Sequence, residues 1–257
     1  MQIGTATGRL ASREPNLQNV PIRRESGQKL RESFIADDGK KLVSLDYSQI
    51  ELRFLAHFSG EETLVDGFKN GEDIHSVVAE KLDVERRVAK TVNFGLIYGM
   101  GSKKLAKTID VSDSEANKIL KSYFESFPTV KRYYEEITDE VLNYGYISTI
   151  LGRRRYFAPK SKRDIEATRR ESFNTLFQGS VADLIKLVMV EVDLRIERGE
   201  LPAKMLLQIH DELIFEVNED LVDDVVKSIK EIMENIIEIN VPLIANSRVG
   251  DNWRYME

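Results

Sequence analysis

Cysteine is absent from this chain of 257 residues, and histidine occurs only three times, as His57, His75 and His210. The lack of thiols excludes disulfide bonds, thiolate catalysis and cysteine-based zinc or iron–sulfur sites. So few histidines also argue against a histidine-rich metal centre. The chemistry that remains is that of carboxylates, amines and hydroxyls, and carboxylate oxygens suit hard ions such as Mg²⁺.

Long apolar runs are also missing. No segment approaches the length of a membrane-spanning helix, and the N-terminus lacks the basic and then apolar pattern of a signal peptide. Apolar residues make up 42% of the chain and charged residues 31%, which is typical of a soluble globular protein with an ample core. The composition therefore predicts no membrane partner.

Positive charge is in slight deficit, with a formal net charge of −6, which gives no sign of a nucleic-acid-binding protein. The cationic residues are nevertheless concentrated in one segment. They are Arg153, Arg154, Arg155, Lys160, Lys162, Arg163, Arg169 and Arg170. Such a run can bind phosphate groups, and it can equally be a solvated loop or helix face, so both interpretations stay open.

Two acidic segments follow strand-like stretches far apart in the chain. Asp46 follows residues 41–45, and His210-Asp211-Glu212 follows residues 205–209. Two aspartates that rigid strands deliver to one place could bind a pair of Mg²⁺ ions for phosphoryl transfer. A single aspartate at a strand end is also common in ordinary turns.

A predicted helix over residues 85–99 has a graded stripe of side chains. Arg86, Lys90, Phe94 and Tyr98 recur every four residues, and each step of four rotates by only about 40° around a helix. Cations followed by aromatics match the polarity of a nucleoside triphosphate, which has phosphates at one end and a flat base at the other. An amphipathic helix with two aromatic core residues explains this stripe equally well.

The hydrophobic periodicity predicts an α+β fold, in which a sheet platform carries a helical insertion. Residues 1–24 read as irregular. The predicted elements are a strand at 41–45 running into a helix from Gln49, a helix over 73–100, a helical pair over 112–144 with Ser112 or Asp113 as N-cap and a break at Phe127-Pro128, a strand at 146–150, a helix over 164–198 broken or kinked at Gly179, a hairpin of 204–209 with 213–217, a helix capped by Asp220 that ends near Ile236, and a strand at 241–249.

Six ordered blocks resemble the polymerase module of family A DNA polymerases, the bacterial DNA polymerase I type. The blocks are residues 5–10 (TATGRL), 15–21 (PNLQNVP), 46–53 (DYSQIELR), 86–99 (RRVAKTVNFGLIYG), 178–183 (QGSVAD) and 210–212 (HDE). The resemblance covers nearly the whole chain. It implies an antiparallel-sheet palm with a mainly helical fingers insertion, in which residues 1–58 and 170–257 form the palm and residues 59–169 the fingers.

The resemblance also implies how metal ions are bound. Asp46 and Asp211 match the two metal-binding aspartates, and the Tyr47 carbonyl is a further metal ligand. The expected cofactor is a pair of Mg²⁺ ions, for which Mn²⁺ can substitute. Glu212 matches an auxiliary acid, although a solvent-exposed hairpin charge is an equal alternative.

The nucleotide site follows from the same resemblance. The matching residues are Tyr47, Gln49, Glu51, His75, Arg86, Lys90, Phe94 and Tyr98. Arg86 and Lys90 would contact the triphosphate, with Lys90 as proton donor to pyrophosphate, and His75 would be either a further phosphate contact or a structural histidine. Glu51 matches the steric gate that excludes a ribose 2′-hydroxyl. Phe94 lacks a hydroxyl that could replace a missing 3′-OH, so dideoxynucleotides should be disfavoured, and Tyr98 would stack near the templating base.

Seven further residues match those that line the DNA duplex in the family. They are Arg9, Gln18, Asn19, Arg170, Asn174, Gln178 and His210. Arginine and glutamine suit the minor-groove acceptors that every correct base pair presents. The clusters Arg153–Arg155 and Lys160–Arg163 are expected to meet phosphates, with solvent exposure as the alternative for the second cluster.

The expected function is therefore template-directed DNA synthesis on a primer–template with dNTPs, in the cytoplasm of a bacterium or in viral replication. A non-catalytic fragment that binds DNA or nucleotide is the main alternative. A single-subunit RNA polymerase, which shares the palm, is a third, and Glu51 argues against it.

Relatives have a thumb, and usually exonuclease domains, before the point that matches Thr5. We therefore expect no proofreading, weak and strongly salt-dependent DNA binding and low processivity, because the duplex is held from fewer sides. Primer extension at low and at moderate salt tests this expectation. Short products that shorten further with salt are expected, whereas long products from single encounters would contradict it.

Overall fold

A computed structural model of the chain describes residues 4–21, 24–158 and 162–256. Two compact units make up the fold. The first comprises Met1–Ile50, Val181–Glu238 and Leu243–Glu257, and the second comprises Glu51–Ser180 and Ile239–Pro242. The predicted palm and fingers boundaries remain a prediction, because these units are defined by compactness alone.

The chain forms helices and strands in the following order. They are α1 (Glu25–Glu32), β1 (Lys40–Tyr47), α2 (Ile50–Ser59), α3 (Glu62–Lys69), α4 (Ile74–Leu82), α5 (Arg86–Ile97), α6 (Ser102–Ile109), α7 (Asp113–Ser126), α8 (Pro128–Tyr144), β2 (Tyr146–Ser148), β3 (Arg154–Tyr156), α9 (Lys162–Glu197), β4 (Ala203–Ile209), β5 (Glu212–Asn218), α10 (Val222–Asn235) and β6 (Ala245–Gly250). Short 3₁₀ helices lie at Leu17–Asn19 and Glu219–Leu221.

The first unit is built on a four-stranded antiparallel sheet with the order β4-β5-β1-β6. In its inner strand β1, Val43, Leu45 and Tyr47 form a buried apolar face, whereas Leu42, Ser44 and Asp46 lie on the other face. Helix α10 packs against the sheet with an apolar stripe that includes Val225 and Ile229. The sheet with its helices confirms the predicted α+β class.

The second unit is mainly helical and has an aromatic core. Phe177 packs edge-on against Phe173, with ring centroids 4.7 Å apart, and against Phe58 at 5.9 Å. Ser112 caps α7, and its hydroxyl and the Glu115 carboxylate satisfy each other's backbone amides in a capping box. The predicted cap at Ser112 and the break at Phe127-Pro128 are confirmed.

Several predicted elements differ from the structure. Helix α9 continues through Gly179 without a break, because Phe177 and Val181 on either side are buried and their packing outweighs the weak helix propensity of one glycine. The predicted helical stretch 73–100 is divided into α4 and α5, since Asp83 adopts a left-handed conformation after α4, and α5 agrees with the predicted helix over 85–99.

The ends of two other elements also differ from the prediction, and one helix was not predicted. Asp220 lies in a 3₁₀ turn rather than at the cap of α10, whose N-cap is Leu221. Strand β6, at the edge of the sheet, begins at Ala245 and not at 241, since Pro242 has no backbone N–H to donate to the ladder with β1. Helix α1 was not predicted and lies directly after the irregular N-terminal segment.

Within the described ranges, no helix combines the length and the apolar character that crossing a membrane requires.

Candidate active site

The β4–β5 hairpin and the end of β1 bring the two acidic segments together. In the antiparallel register Asp46 lies opposite Glu212, and the next residue, Tyr47, donates its backbone N–H to the Asp211 carbonyl at 3.3 Å. The hairpin turn is the pair His210-Asp211, and His210 has a φ of 54°, as the first residue of a primed two-residue turn requires. Asp46 and Asp211 therefore lie next to each other, as two strand ends in one sheet predict.

The Tyr47 side chain has a structural role. Its hydroxyl donates to the Met233 carbonyl at 2.5 Å, and the ring is buried between the sheet and α10. Burial raises the pKa of this phenol well above its ordinary range. The side chain of Tyr47 is therefore part of the core, and metal binding by its carbonyl stays a prediction.

The Asp211 carboxyl is held in a sparsely hydrogen-bonded environment. Its Oδ1 is buried, and no described residue donates a hydrogen bond to it. Among the described residues, the cation that pairs with it is Arg9, whose Nη2 lies 3.9 Å from Oδ1. Burial raises the pKa of the Asp211 carboxyl, although the charges of Arg9 and His210 act in the opposite direction.

These carboxylates fit a hard divalent cation. A buried aspartate oxygen without a donor needs a positive partner, and Asp46 supplies a second carboxylate beside it. In the described part of the chain, no group of three or more histidine, aspartate or glutamate side chains could hold a metal ion. Mg²⁺ commonly uses only one or two carboxylates together with waters and substrate phosphates, so two aspartates suffice.

Three polar side chains surround this carboxylate pair on the sheet. Ser44 donates a hydrogen bond to the Glu212 carboxylate, and Arg248 on β6 lies with its Nη2 3.3 Å from Asp46 Oδ1. Glu212 is therefore turned towards Ser44 on its own sheet, and its exposure is intermediate rather than that of a free hairpin charge. Its role as an auxiliary acid stays a prediction.

A glutamine pair connects the N-terminal segment to the hairpin. The Gln18 side chain donates to the Gln208 backbone carbonyl at 3.2 Å and to Gln208 Oε1 at 3.1 Å. Gln208 in turn donates to the His210 carbonyl at 2.5 Å. Asn19 is exposed at the end of the adjacent 3₁₀ helix. Gln18, Asn19 and His210, three of the predicted DNA-contacting residues, thus occur in one part of the first unit.

Helix α5 presents the predicted stripe in the second unit. Arg86 and Lys90 are exposed, and Arg86 pairs through Nε with the Asp73 carboxylate. The Arg86 guanidinium lowers the pKa of Asp73 to about 2. The rings of Phe94 and Tyr98 are nearly parallel, with centroids 6.4 Å apart. The two cations and the two aromatics therefore follow each other along one helix face.

His75 lies behind this stripe and is buried. Its Nδ1 is 3.1 Å from the side-chain nitrogen of Asn93, and its ring packs at 5.6 Å against Phe94. Burial lowers the pKa of His75, with Asp73 opposing this effect and the charges of Lys90 and Arg86 adding to it. A neutral imidazole that supports Phe94 is consistent with the structural alternative, and the phosphate contact stays a prediction.

The predicted steric gate is held by the tyrosine at the end of α5. Glu51 is only 3% exposed, and its Oε2 accepts a hydrogen bond from the Tyr98 hydroxyl at 2.8 Å. In the first unit, Gln49 has a φ of 51°, and its side-chain Oε1 is buried without a donor among the described residues. Gln49 Oε1 therefore remains available as a hydrogen-bond acceptor.

Close backbone approach joins the end of α5 to α9. Gly99 has a φ of +65°, and a Cβ on it would lie 2.7 Å from the Arg170 Cβ and 3.1 Å from the Arg170 carbonyl. A cavity of about 360 Å³ next to this contact is lined by Tyr98, Gly99, Arg170 and Asn174, among others. Arg170, Asn174 and Gln178 recur every four residues on α9, so they share one stripe of that helix.

Two of the clustered arginines have partners inside the second unit. Arg153 donates to the Gly179 carbonyl at 3.1 Å, and Arg155 donates to Thr175 at 2.6 Å and to Glu171 at 2.7 Å. Arg154 lies over the Tyr146 ring at 4.5 Å. Lys160 and the side chains of Lys162 and Arg163 lie outside the described residues. Phosphate binding by these clusters stays a prediction.

Comparison with known proteins identifies the family. A family model described as DNA polymerase family A matches residues 1–255. The chain belongs to this family. The thermostable DNA polymerase I of Thermus aquaticus is 44% identical over 98% of the chain, and DNA polymerase I of Bacillus caldotenax is 41% identical over 97%.

A solved structure agrees with this assignment. The POL domain of Pol1 from M. smegmatis, in complex with DNA primer–template and dNTP, superposes with a TM-score of 0.92 and 39% identity over 98% of this family A chain. The chain spans about a third of the two DNA polymerase I sequences, 32% and 30% of their length, and 47% of the chain in that structure.

Five residues that interact with the predicted site of this family A chain were missed by sequence reasoning. They are Ser44, Asp73, Asn93, Gln208 and Arg248. Gln208 interrupts the apolar run from Met205 to Ile209, and strand alternation could have indicated it. The other four meet their partners only through the tertiary fold, because no local pattern connects Arg248 to Asp46 or Asp73 to Arg86.

The contact between Gly99 and Arg170 leads to a stability prediction. Gly99→Ala should destabilise the protein by about 1–2 kcal/mol for a left-handed backbone and by about 1–3 kcal/mol more for the clash with α9. Gly199→Ala is the matched control, because Gly199 also has a positive φ of +71° but has nothing within 4 Å of an added Cβ. Urea unfolding of both variants measures the difference, and equal losses would contradict the packing argument.

Proposed function

We propose that this chain catalyses template-directed DNA synthesis, in which deoxynucleotides are added to a primer 3′-hydroxyl and pyrophosphate is released. The observation that carries the proposal is the adjacency of Asp46 and Asp211, which the hydrogen bond between Tyr47 N–H and the Asp211 carbonyl maintains. Membership of DNA polymerase family A supports DNA synthesis in general.

Asp46, Asp211 and the Tyr47 carbonyl are the proposed ligands of two Mg²⁺ ions, for which Mn²⁺ can substitute. The chemistry supplied by the bound ions is activation of the primer 3′-hydroxyl and stabilisation of charge on the triphosphate and pyrophosphate. The buried Oδ1 of Asp211 supports this role, since a carboxylate oxygen without a donor is already desolvated for a cation. Arg9 limits the repulsion between the two aspartates until the ions bind.

Helix α5 supplies the proposed triphosphate contacts. Arg86 and Lys90 are exposed cations in its first two turns, where the helix dipole adds positive potential. Lys90 would donate a proton to the leaving pyrophosphate. Arg86 would exchange its Asp73 partner for a phosphate oxygen, because the guanidinium fork suits both acceptors.

Sugar and base selection are assigned to the aromatic end of the same helix. Glu51, held by the Tyr98 hydroxyl, would fill the space that a ribose 2′-hydroxyl needs. Phe94, supported by the buried His75, would stack on the nucleotide. Tyr98 would leave Glu51 when the templating base takes its place.

Primer–template DNA is the proposed macromolecular partner. In the first unit, Arg9, Gln18, Asn19 and His210 would line the duplex, and Gln208 would hold Gln18 in place. In the second unit, Arg170, Asn174 and Gln178 would do the same from one stripe of α9. Minor-groove acceptors occur on every correct pair, so these contacts would not select a sequence.

Removal of one metal-binding carboxylate tests the catalytic proposal. Asp211→Ala should reduce single-nucleotide incorporation with Mg²⁺ by roughly 10²–10³-fold or more, as the loss of a group that stabilises developing charge does. Asp193→Ala, at an exposed position on α9, is the matched control and should keep full activity. Equal incorporation by the unaltered chain and Asp211→Ala would instead favour a fragment that only binds DNA or nucleotide.

The steric-gate assignment is tested by sugar selectivity. Glu51→Ala should raise rNTP incorporation relative to dNTP incorporation by roughly 10²-fold, because the clash with the 2′-hydroxyl is removed. Glu61→Ala is the control, since Glu61 is also buried in the second unit but bonds to Thr129. An unchanged ratio in Glu51→Ala would contradict the assignment, and robust rNTP use by the unaltered chain would favour an RNA polymerase.

A further inference from the structure

One charged residue beside the carboxylates has no part in the function proposed above. Arg248 lies on β6 opposite Ser44, two residues from the position that pairs with Asp46. Residues two apart on a strand point to the same face, so Arg248 reaches Asp46 diagonally across the ladder. Its Nη2 lies 3.3 Å from Asp46 Oδ1, within hydrogen-bond distance of a proposed metal ligand.

We propose that Arg248 is a built-in counter-ion of Asp46, which a divalent cation must displace before it can bind. The proposal rests on the assignment of Asp46 as a metal ligand. Arg248 is thus a positioning residue that acts through Asp46, and it raises the metal concentration that the site requires.

Electrostatics gives a reason for a cation at this position. Asp46 and Glu212 are direct cross-strand partners, and like charges at such positions destabilise a sheet. Ser44 draws the Glu212 carboxylate to one side by a hydrogen bond. Arg248 neutralises the charge of Asp46 from the neighbouring strand. The repulsion between Asp46 and Glu212 therefore destabilises the sheet less in the absence of metal.

The same geometry allows the guanidinium to leave. The Arg248 side chain is 51% exposed, so its pairing with Asp46 is screened by water and only moderately strong. A cavity of about 320 Å³ next to it is lined by Glu212, Arg31 and Arg254, among others. Glu212 offers a second carboxylate in this cavity, to which Arg248 can turn when Asp46 binds a metal ion.

Binding of Mn²⁺ to the DNA-free protein tests the proposal without any turnover. Free Mn²⁺ is measured by electron paramagnetic resonance as the ion is titrated against the full chain. Arg248→Met should tighten Mn²⁺ binding roughly 1.5- to 5-fold, the range that corresponds to the strength of exposed ion pairs. Arg248→Lys keeps the charge and should bind Mn²⁺ much as the unaltered chain does.

Lys41→Met is the matched control. Lys41 also lies in the sheet and also pairs with an aspartate, Asp251, but it stands near the opposite end of β1 from Asp46. Both methionine variants lose one positive charge, so a general change of net charge should affect them equally. Equal Mn²⁺ affinities in Arg248→Met and Lys41→Met would overturn the proposal.

Thermal unfolding supplies a second measurement. In EDTA, Arg248→Met should unfold at a lower temperature than the unaltered chain, because Asp46 then lacks its counter-ion. Mn²⁺ should raise its unfolding temperature by more than that of the unaltered chain, since a tighter ligand stabilises more at equal concentration. A merely structural arginine would lower the unfolding temperature equally with and without Mn²⁺, which would overturn the proposal.

Asp46→Asn separates this inference from the function on which it rests. If Asp46→Asn binds Mn²⁺ as tightly as the unaltered chain, the metal site itself is wrongly assigned. If Asp46→Asn loses the ion while Arg248→Met matches Lys41→Met, the metal site stands and only the role of Arg248 is wrong.

Discussion

The pairing of β1 with a neighbour along each of its edges is the constraint on which the candidate active site depends. The ladder to β5 sets Asp46 opposite Glu212 and ends with Tyr47 bonded to Asp211, while the ladder to β6 places Arg248 within reach. A shift of one residue in either register would turn the side chains of one strand to the other face. Val43, Leu45 and Tyr47 oppose such a shift, because it would move this buried apolar set to the face that now carries Ser44 and Asp46.

Charge is balanced locally around the carboxylates, although the chain as a whole is acidic. Arg9 lies near Asp211, Arg248 near Asp46, and Ser44 holds Glu212. Each partner comes from a different segment of the sequence, so the balance exists only in the folded state. A cluster of carboxylates at the strand ends is thereby compatible with a stable sheet.

In helix α5, the local spacing decides which side chains share a face, and the tertiary fold decides what supports them. Its four-residue spacing alone places Arg86, Lys90, Phe94 and Tyr98 on one face, so the stripe is readable from the sequence. The tertiary fold adds supporting contacts. The His75 ring packs against Phe94, and the Tyr98 hydroxyl donates a hydrogen bond to Glu51. These supports orient the side chains, and they could not be inferred from periodicity.

The sequence by itself determined the α+β class, the β4–β5 hairpin, the stripe on α5 and the candidate aspartates, because each follows from local periodicity, from strand ends or from the family blocks. It did not determine the continuity of α9 through Gly179, the late start of β6 or the partners of Asp73 and Arg248. Those depend on burial and on contacts between segments far apart in the chain. Helix propensity and strand alternation describe one segment at a time, whereas packing and ion pairing are decided only when the segments meet.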